Sequence, residues 1–395
     1  MRKAMLFAVM LLACVLGAGS AFAEGDFHIG IMTPTVSQAE DDLRGAEALI
    51  KKYGDAAKGG LIKHVTFPDN FTTEVETTIA QLLGLADDPK MKAIIVVQAP
   101  EGTTEAFRRI REKRPDIILL VGSGLEDPGV ICSAADLQID VDKIGWAYLI
   151  MGAMKKMGAD TFVHVSFPRH MSMEVIARRV AVFREAAKNM GMKFVLESAP
   201  DPTTDVGVAG TQQYLLEKVP AWIAQYGKNT AFFSTNSAHH EPLIKRIVSH
   251  GGYYAYGDMP SPIRGYPGAL NIDLSKEKGN WPAIIAKVQK AVVDAGAGGR
   301  MGTWAVSAPY SFGPALGELA KRVIEGKASL SKQEDIVASL NDSSGVKWHA
   351  TNYVDAGTGA KMKNFFIVYQ DPYVLGKGPL DVSDIKLPDN LFQIK

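Results

Sequence analysis

Hydroxyl, amide and carboxylate side chains recur in this sequence at one kind of place, immediately after a short apolar run. Thr33-Pro34-Thr35-Val36-Ser37-Gln38 is one such stretch. Others are Gln98-Ala99-Pro100-Glu101, Gly122-Ser123-Gly124, Ser166-Phe167-Pro168-Arg169-His170, Thr235-Asn236-Ser237-Ala238-His239-His240 and Gly257-Asp258-Met259-Pro260. Such residues suit the capture of a polar solute, because hydroxyls and carboxamides both donate and accept and a carboxylate accepts from paired hydroxyls. Thr35, Ser37, Gln98, Ser123, Phe167, Asn236 and Asp258 are the candidate ligand contacts from these loops. Taken singly, each Ser, Thr or Asn serves equally well as the cap of a following helix. Six loops from two separate blocks of chain carry more weight, since two sheets facing one another bring them to one cleft.

Other chemistries lack their residue patterns. His164, His170, His239, His240 and His250 show no HExxH or paired-Cys spacing, so exposed or helix-capping roles are expected and no metal is. Asp41-Asp42 and Asp87-Asp88 lie in or beside helical stretches, where solvation and first-turn dipoles account for them. Glu101 is the one further carboxylate at a strand end. There is no GxSxG, Walker A or GxGxxG pattern, so no cofactor and no catalysis are expected. The two cysteines, Cys14 and Cys132, cannot form a disulfide framework.

The elements that position the loops follow from hydrophobic periodicity. Strand candidates are 27–33, 62–67, 93–97 and 117–121, separated by helical stretches near 38–53, 72–85 and 102–113. The runs AIIVV and IILLV are apolar on both faces, as central parallel strands require. After a break near 130–141, Asp142 can cap a helix reaching Met157, and a second set begins with strands 161–167, 193–197, 230–235 and 253–256. Its helices are expected at 173–190, 211–226 and 241–250, the second of them kinked or split at Pro220. A strand near 269–274, helices near 281–295, 311–325 and 332–341, and extended segments at 346–354 and 364–370 complete the chain. The fold class is α/β: two Rossmann-like lobes with parallel sheets joined by a multi-strand hinge. The expected division is 24–140 for the N-terminal lobe, completed by about 272–345, and 141–271 for the C-terminal lobe, completed by about 346–395.

The 395 residues are 47% hydrophobic and 22% charged, with 43 basic and 43 acidic side chains. That profile fits a globular protein of two domains and excludes a basic field for nucleic acid. Residues 1–23 read as a signal peptide: Arg2 and Lys3, an apolar run from Ala4 to Leu16, and an Ala21-Phe22-Ala23 cleavage site. A periplasmic or secreted location follows. Leu11-Leu12-Ala13-Cys14 offers a second option, a lipoprotein carrying its lipid on Cys14.

The segment 141–196, with Ile144-Gly145-Trp146, Gly152, Met157-Gly158, Arg178-Arg179 and Phe183-Arg184-Glu185-Ala186, resembles the second lobe of type I periplasmic solute-binding proteins. Thr235-Asn236, Gly251-Gly252, Tyr254 and Gly257-Asp258 extend the likeness toward ribose- and galactose-type binders. The whole chain also resembles a secreted family of unassigned function within that superfamily. The resemblance implies that Arg179, a planar fork of donors, joins Asn236 and Asp258 in holding the ligand. Pro34-Thr35-Val36-Ser37 lacks the aromatic residue that sugar binders usually present there. What it implies for function is a monomeric binder of a small polar solute, such as a sugar or nucleoside, that delivers it to an ABC permease. The alternatives are a sensory subunit reporting to a membrane receptor and an exported enzyme using the same cleft. On this reading Ala at Arg179 or Asp258 weakens binding by about 1 to 3 kcal/mol and leaves folding intact.

Overall fold

The computed structural model describes residues 26–202, 204–355 and 357–394; the leader and Cys14 lie outside the described residues. The first strands are β1 (His28–Thr33), β2 (Ile62–Thr66), β3 (Met91–Ala99), β4 (Ile118–Gly124) and β5 (Leu137–Val141). They are followed by β6 (Thr161–Ser166), β7 (Lys193–Ser198), β8 (Thr230–Ser234), β9 (Tyr253–Gly257), β10 (Gly302–Thr303), β11 (Trp348–Val354), β12 (Lys361–Gln370), β13 (Tyr373–Val374) and β14 (Gly378–Pro379). A seven-stranded sheet has the order β11-β12-β5-β4-β3-β1-β2, and a four-stranded sheet has the order β7-β6-β8-β9. All neighbours in both are parallel except β11, which runs against β12. Strands β10, β13 and β14 form a small antiparallel sheet.

The larger sheet is covered on both faces, which is why its central strands are unbroken apolar runs. Along β3, Ala93, Ile95 and Val97 face one side, with Ala46, Leu49, Phe312 and Leu316 from the helices Val36–Tyr53 and Ala308–Ile324. Ile94 and Val96 face the other, with Ile79, Leu82, Phe107 and Ile110 from Val75–Ala86 and Thr103–Lys113. The first two helices approach closely enough that a Cβ on Gly45 would lie 2.3 Å from the Tyr310 carbonyl oxygen, so only glycine fits there. Between the lobes, Asp142 Oδ1 accepts from the amides of Ile144 and Gly145 at 2.9 and 2.7 Å and starts the helix Gly145–Met157, as its position in the sequence suggests.

Three expectations change. The helix Gly207–Tyr226 passes through Pro220 as a single element. Proline leaves the carbonyl four residues earlier without its helical donor, and Arg246 Nε supplies one, donating to the Leu216 oxygen at 2.8 Å. Residues 266–270 form a short helix where a strand was expected.

The tail is also shared between the lobes differently. Trp281, Ile284, Val288 and Val292 of the helix Trp281–Asp294 pack with Val163, Val165 and Phe232 of the second sheet, so 281–294 belongs with the C-terminal lobe. Strand β12, whose Phe365 to Val368 are all buried, pairs with β5 and carries β11, so 348–370 completes the N-terminal lobe. Only the last stretch lies on the second lobe: Lys156 Nζ donates to the Asp381 carbonyl at 2.8 Å, and Arg178 holds the Phe392 carbonyl.

Candidate functional site

Sheet order locates the site. Both sheets repeat one pattern, with the first strand of the set flanked by the second and third, so the winding reverses between β1 and β3 and again between β6 and β8. Ligands in such sheets bind beyond the carboxyl ends of the strands at this reversal. Four of the six candidate loops emerge there, after β1, β3, β6 and β8, and the other two follow β4 and β9.

On the first lobe, Gln98 and Ser123 sit at strand ends in left-handed backbone conformations, with φ of 50° and 65°. Such strain in non-glycine residues clusters at functional sites. Gln98 Nε2 donates to Asp42 Oδ2 at 2.6 Å. Ser123 Oγ donates to Asp140 Oδ1 at 2.6 Å, and Lys143 Nζ stands 3.6 Å from Asp140 Oδ2. The Thr35 hydroxyl is tied to Asp69, whose carbonyl also takes Gln38 Nε2 at 2.8 Å. Ser37 lies in the first turn of the helix Val36–Tyr53.

On the second lobe, Arg179 and Asp258 meet directly. Arg179 Nη1 donates to Asp258 Oδ1, and the guanidinium carbon lies 5.1 Å from the centre of the Phe233 ring. The Arg179 side chain is 4% exposed and that of Asp258 25%, so the guanidinium sits beneath the carboxylate. Arg179 Nε and Nη2 are buried without a hydrogen-bond partner among the described residues. Burial pushes the Asp258 carboxyl up, and Arg179 together with Lys143 outweighs that and holds it below its ordinary value. Lys143, 3.6 Å from Asp140 on the first lobe, thus also acts electrostatically on Asp258 of the second.

Phe167 and Asn236 play local parts. The Phe167 ring is 1% exposed and lies 4.1 Å from the His170 ring, so it props its loop and offers no open face for stacking. Asn236 Oδ1 accepts from the Ala238 amide at 2.9 Å as a cap. Thr235 Oγ1 joins the two loops, 2.8 Å from Ser166 Oγ and 3.2 Å from His170 Nδ1.

The sequence reading misplaced several side chains. Asp41 and Asp42 are buried, at 8% and 1% exposure, not solvated on a helix surface. His164, His239 and His240 are buried too, while His250 is exposed. His164 lies among Phe183, Phe194 and Phe233, and His240 packs where a Cβ on Gly257 would meet its ring at 2.2 Å. Burial holds His164 and His240 neutral, with pKa values lowered to about 3. His240, Met259, Arg264 and Thr303 border a crevice too tight to admit a water molecule. Among the described residues, no group of three or more His, Cys, Asp or Glu is placed to hold a metal ion.

The hinge is aromatic. Trp146 packs on Tyr256 and Trp304 at 5.6 and 5.5 Å and stacks on Tyr369 at 5.7 Å, joining β9, β12 and the helix Gly145–Met157. A separate groove of about 470 Å³ beside His28, Lys63, His64 and Asp88 lies near the starts of β1 and β2, away from the strand ends that bear the candidates.

A family model described as protein of unknown function (DUF3798) matches residues 27–302. The chain belongs to that family. A second family model matches residues 313–394 of this DUF3798 member. An uncharacterized protein of Treponema pallidum (strain Nichols) is 42% identical over 186 residues, 47% of this chain and 84% of that protein. A crystal structure from Clostridium difficile 630, described as a proposed transcriptional regulator, superposes with a TM-score of 0.81 at 23% identity, covering 88% of this chain and 99% of that one. A sugar ABC transporter structure from Actinomyces odontolyticus ATCC 17982 gives 0.51 at 8% identity, with 88% and 96% covered. The fold of the DUF3798 chain is that of the type I periplasmic binding proteins, α/β with two lobes and mostly parallel sheets.

Proposed function

We propose that this chain is an exported solute-binding protein that closes its two lobes on a small polar ligand and delivers it to an ABC-type importer. The observation that carries the reading is the pairing of Arg179 with Asp258 at the mouth of the second sheet, opposite Ser123, Asp140 and Lys143 at the mouth of the first. Each wall holds polar groups that a ligand can complete only when both lobes contact it, which makes closure and binding one event. Gln98, Ser123, Arg179 and Asp258 are the proposed contacts, with Thr35 and Asn236 shaping the rim and Phe167 supporting it. The pairs are internally neutral, which suits an uncharged hydroxyl-rich region of the ligand. No step of chemistry is required of the chain.

The resemblance of residues 1–23 to a signal peptide supports export. The test is native mass spectrometry of the purified mature protein, followed by calorimetry with the solute it carries. A bound small molecule, released on denaturation with its mass unchanged and rebinding at micromolar concentration, is expected. Release of a chemically altered product favours an exported enzyme, and a protein that neither carries nor binds a solute overturns the proposal.

A further inference from the structure

The groove of about 470 Å³ beside β2 has the volume of a small-molecule pocket and takes no part in the cleft. β2 is the outermost strand of the larger sheet, next to β1. Asp55 bridges to Ile62 in parallel register on the outer side of the strand. Side chains two apart in a strand share a face, so His64 follows Ile62 on the face that the helix Val36–Tyr53 covers. Asp55 and His64 therefore stand on one side of the groove, with Ile50, Ala56 and Ala57 as apolar wall around them.

Hydrogen bonds fix what these groups offer. Thr33 Oγ1 donates its one proton to the Pro34 carbonyl at 2.9 Å, so it must accept from His64 Nε2, which also lies at 2.9 Å. Nε2 thus carries the ring hydrogen and Nδ1 is a bare acceptor. Burial keeps this ring neutral by lowering its pKa. Asp55 Oδ1 accepts from the Ala57 amide at 2.9 Å, while Asp55 Oδ2 and His64 Nδ1 have no hydrogen-bond partner among the described residues. Farther along the groove Asp88 is already engaged: His28 Nδ1 donates to its Oδ2 at 2.8 Å, and Lys63 Nζ lies 3.8 Å from the same oxygen.

The open groups are thus a carboxylate oxygen and an imidazole nitrogen, both acceptors. A hydroxyl donates a single bond and leaves the Asp55 charge unbalanced, whereas an ammonium donates to both and balances it. A metal ion asks for more ligands, and among the described residues no group of three or more His, Cys, Asp or Glu is placed to hold one. We propose that this groove is a second binding site, which takes an aliphatic ammonium compound with its nitrogen held by Asp55 and His64 and its alkyl chain along Ile50, Ala56 and Ala57. The site stands apart from the cleft and needs no solute there.

Calorimetry on the mature protein at pH 7.5 compares n-pentylamine with n-pentanol and 1,5-diaminopentane with 1,5-pentanediol. At least one amine is expected to bind about ten times or more tightly than its alcohol. Asp55→Asn keeps the oxygen that caps Ala57, removes the charge, and should abolish the preference. His64→Phe keeps a ring in place, removes the acceptor, and should weaken the amine. Glu112→Gln changes an exposed carboxylate on the helix Thr103–Lys113, across the sheet, and should leave amine binding as it was. Hydrogen exchange of the wild-type protein gives a second readout that does not depend on how a variant folds: the amine should protect amides within 54–66. Equal binding of amine and alcohol, failure of both amines to bind, a preference that survives Asp55→Asn, or protection confined to the strand-end loops overturns the site. Zinc chloride that displaces the amine at micromolar concentration makes it a metal site and overturns it as well.

Discussion

Replacing Asp258 with Asn tests the site's architecture more sharply than any loss of ligand affinity. The change keeps the shape of the side chain and removes its charge, leaving the Arg179 guanidinium at 4% exposure over the Phe233 ring with no anion beside it. Breaking a fully buried pair from one side costs about 3 to 5 kcal/mol. Asp258 is a quarter exposed, so water takes up part of that, and about 2 to 3 kcal/mol is expected. Arg179→Met is the contrasting perturbation. It removes the guanidinium with its two unpartnered donors, keeps an apolar stem on Phe233, and leaves a carboxylate that solvent reaches, so about 1 kcal/mol is expected. The double variant should recover about 1 kcal/mol of the Asp258→Asn loss, with a coupling near 2 kcal/mol. Urea unfolding of the ligand-free protein at pH 7.5 measures all four corners. Equal costs for the two single changes, or an additive double variant, would refute the buried-guanidinium argument. The burial of Arg179 argues against the expectation that it can be truncated without harm to folding.

Three other changes have defined outcomes. The folded protein holds the Asp42 proton more strongly than the unfolded chain does, so this group's stabilisation is complete below about pH 4 and is lost as pH rises toward 7. Asp42→Asn should therefore unfold at higher urea than wild type at pH 8, by about 2 kcal/mol, and show little gain at pH 4.5. His164 has the opposite sign, because its lowered folded pKa makes the unfolded chain the better proton acceptor, and stability falls as pH drops below 6.5. His164→Leu should gain about 1 to 2 kcal/mol at pH 5 and clearly less at pH 8, read from the same denaturation curves. Gly45→Ala drives a methyl into the Tyr310 carbonyl, which as backbone cannot swing aside. A loss of about 1 to 3 kcal/mol, seen as an earlier thermal transition with unchanged far-ultraviolet dichroism at 20 °C, is expected, and an unaltered melt would contradict the close helix approach.

The parts of this fold that declare themselves in the sequence are those with one environment on each face. β3 and β4 are apolar throughout because helices cover both sides, and Asp142 reads as a cap because no other residue beside it can do that work. Loops at strand ends were legible from the same alternation, so Gln98, Ser123 and Asp258 lie at the carboxyl ends of β3, β4 and β9, whereas Arg179, inside the helix Glu174–Met190, was reached only through the family resemblance. Segments whose setting depends on distant chain were not legible. Pro220 breaks nothing because Arg246 reaches over from another helix, and residues 365–368 are equally apolar whichever sheet accepts them. Asp41 and Asp42 looked like surface residues because helical periodicity does not reveal that Ser307 and Gln98, distant in sequence, close over that face. The one available signal was their position beside the loop that also carries Thr35 and Ser37.

The pairing of β12 with β5 has a consequence for how the molecule is made. Residues 161–257 contain every strand of the smaller sheet, so that half can organise while the rest of the polypeptide is still arriving. The larger sheet has to wait for residue 370 before its last two places are filled, more than 200 residues after β5 has emerged. Of these two sheets the one that begins first is thus finished last, and until then the free edge of β5 is the surface most in need of protection from wrong neighbours.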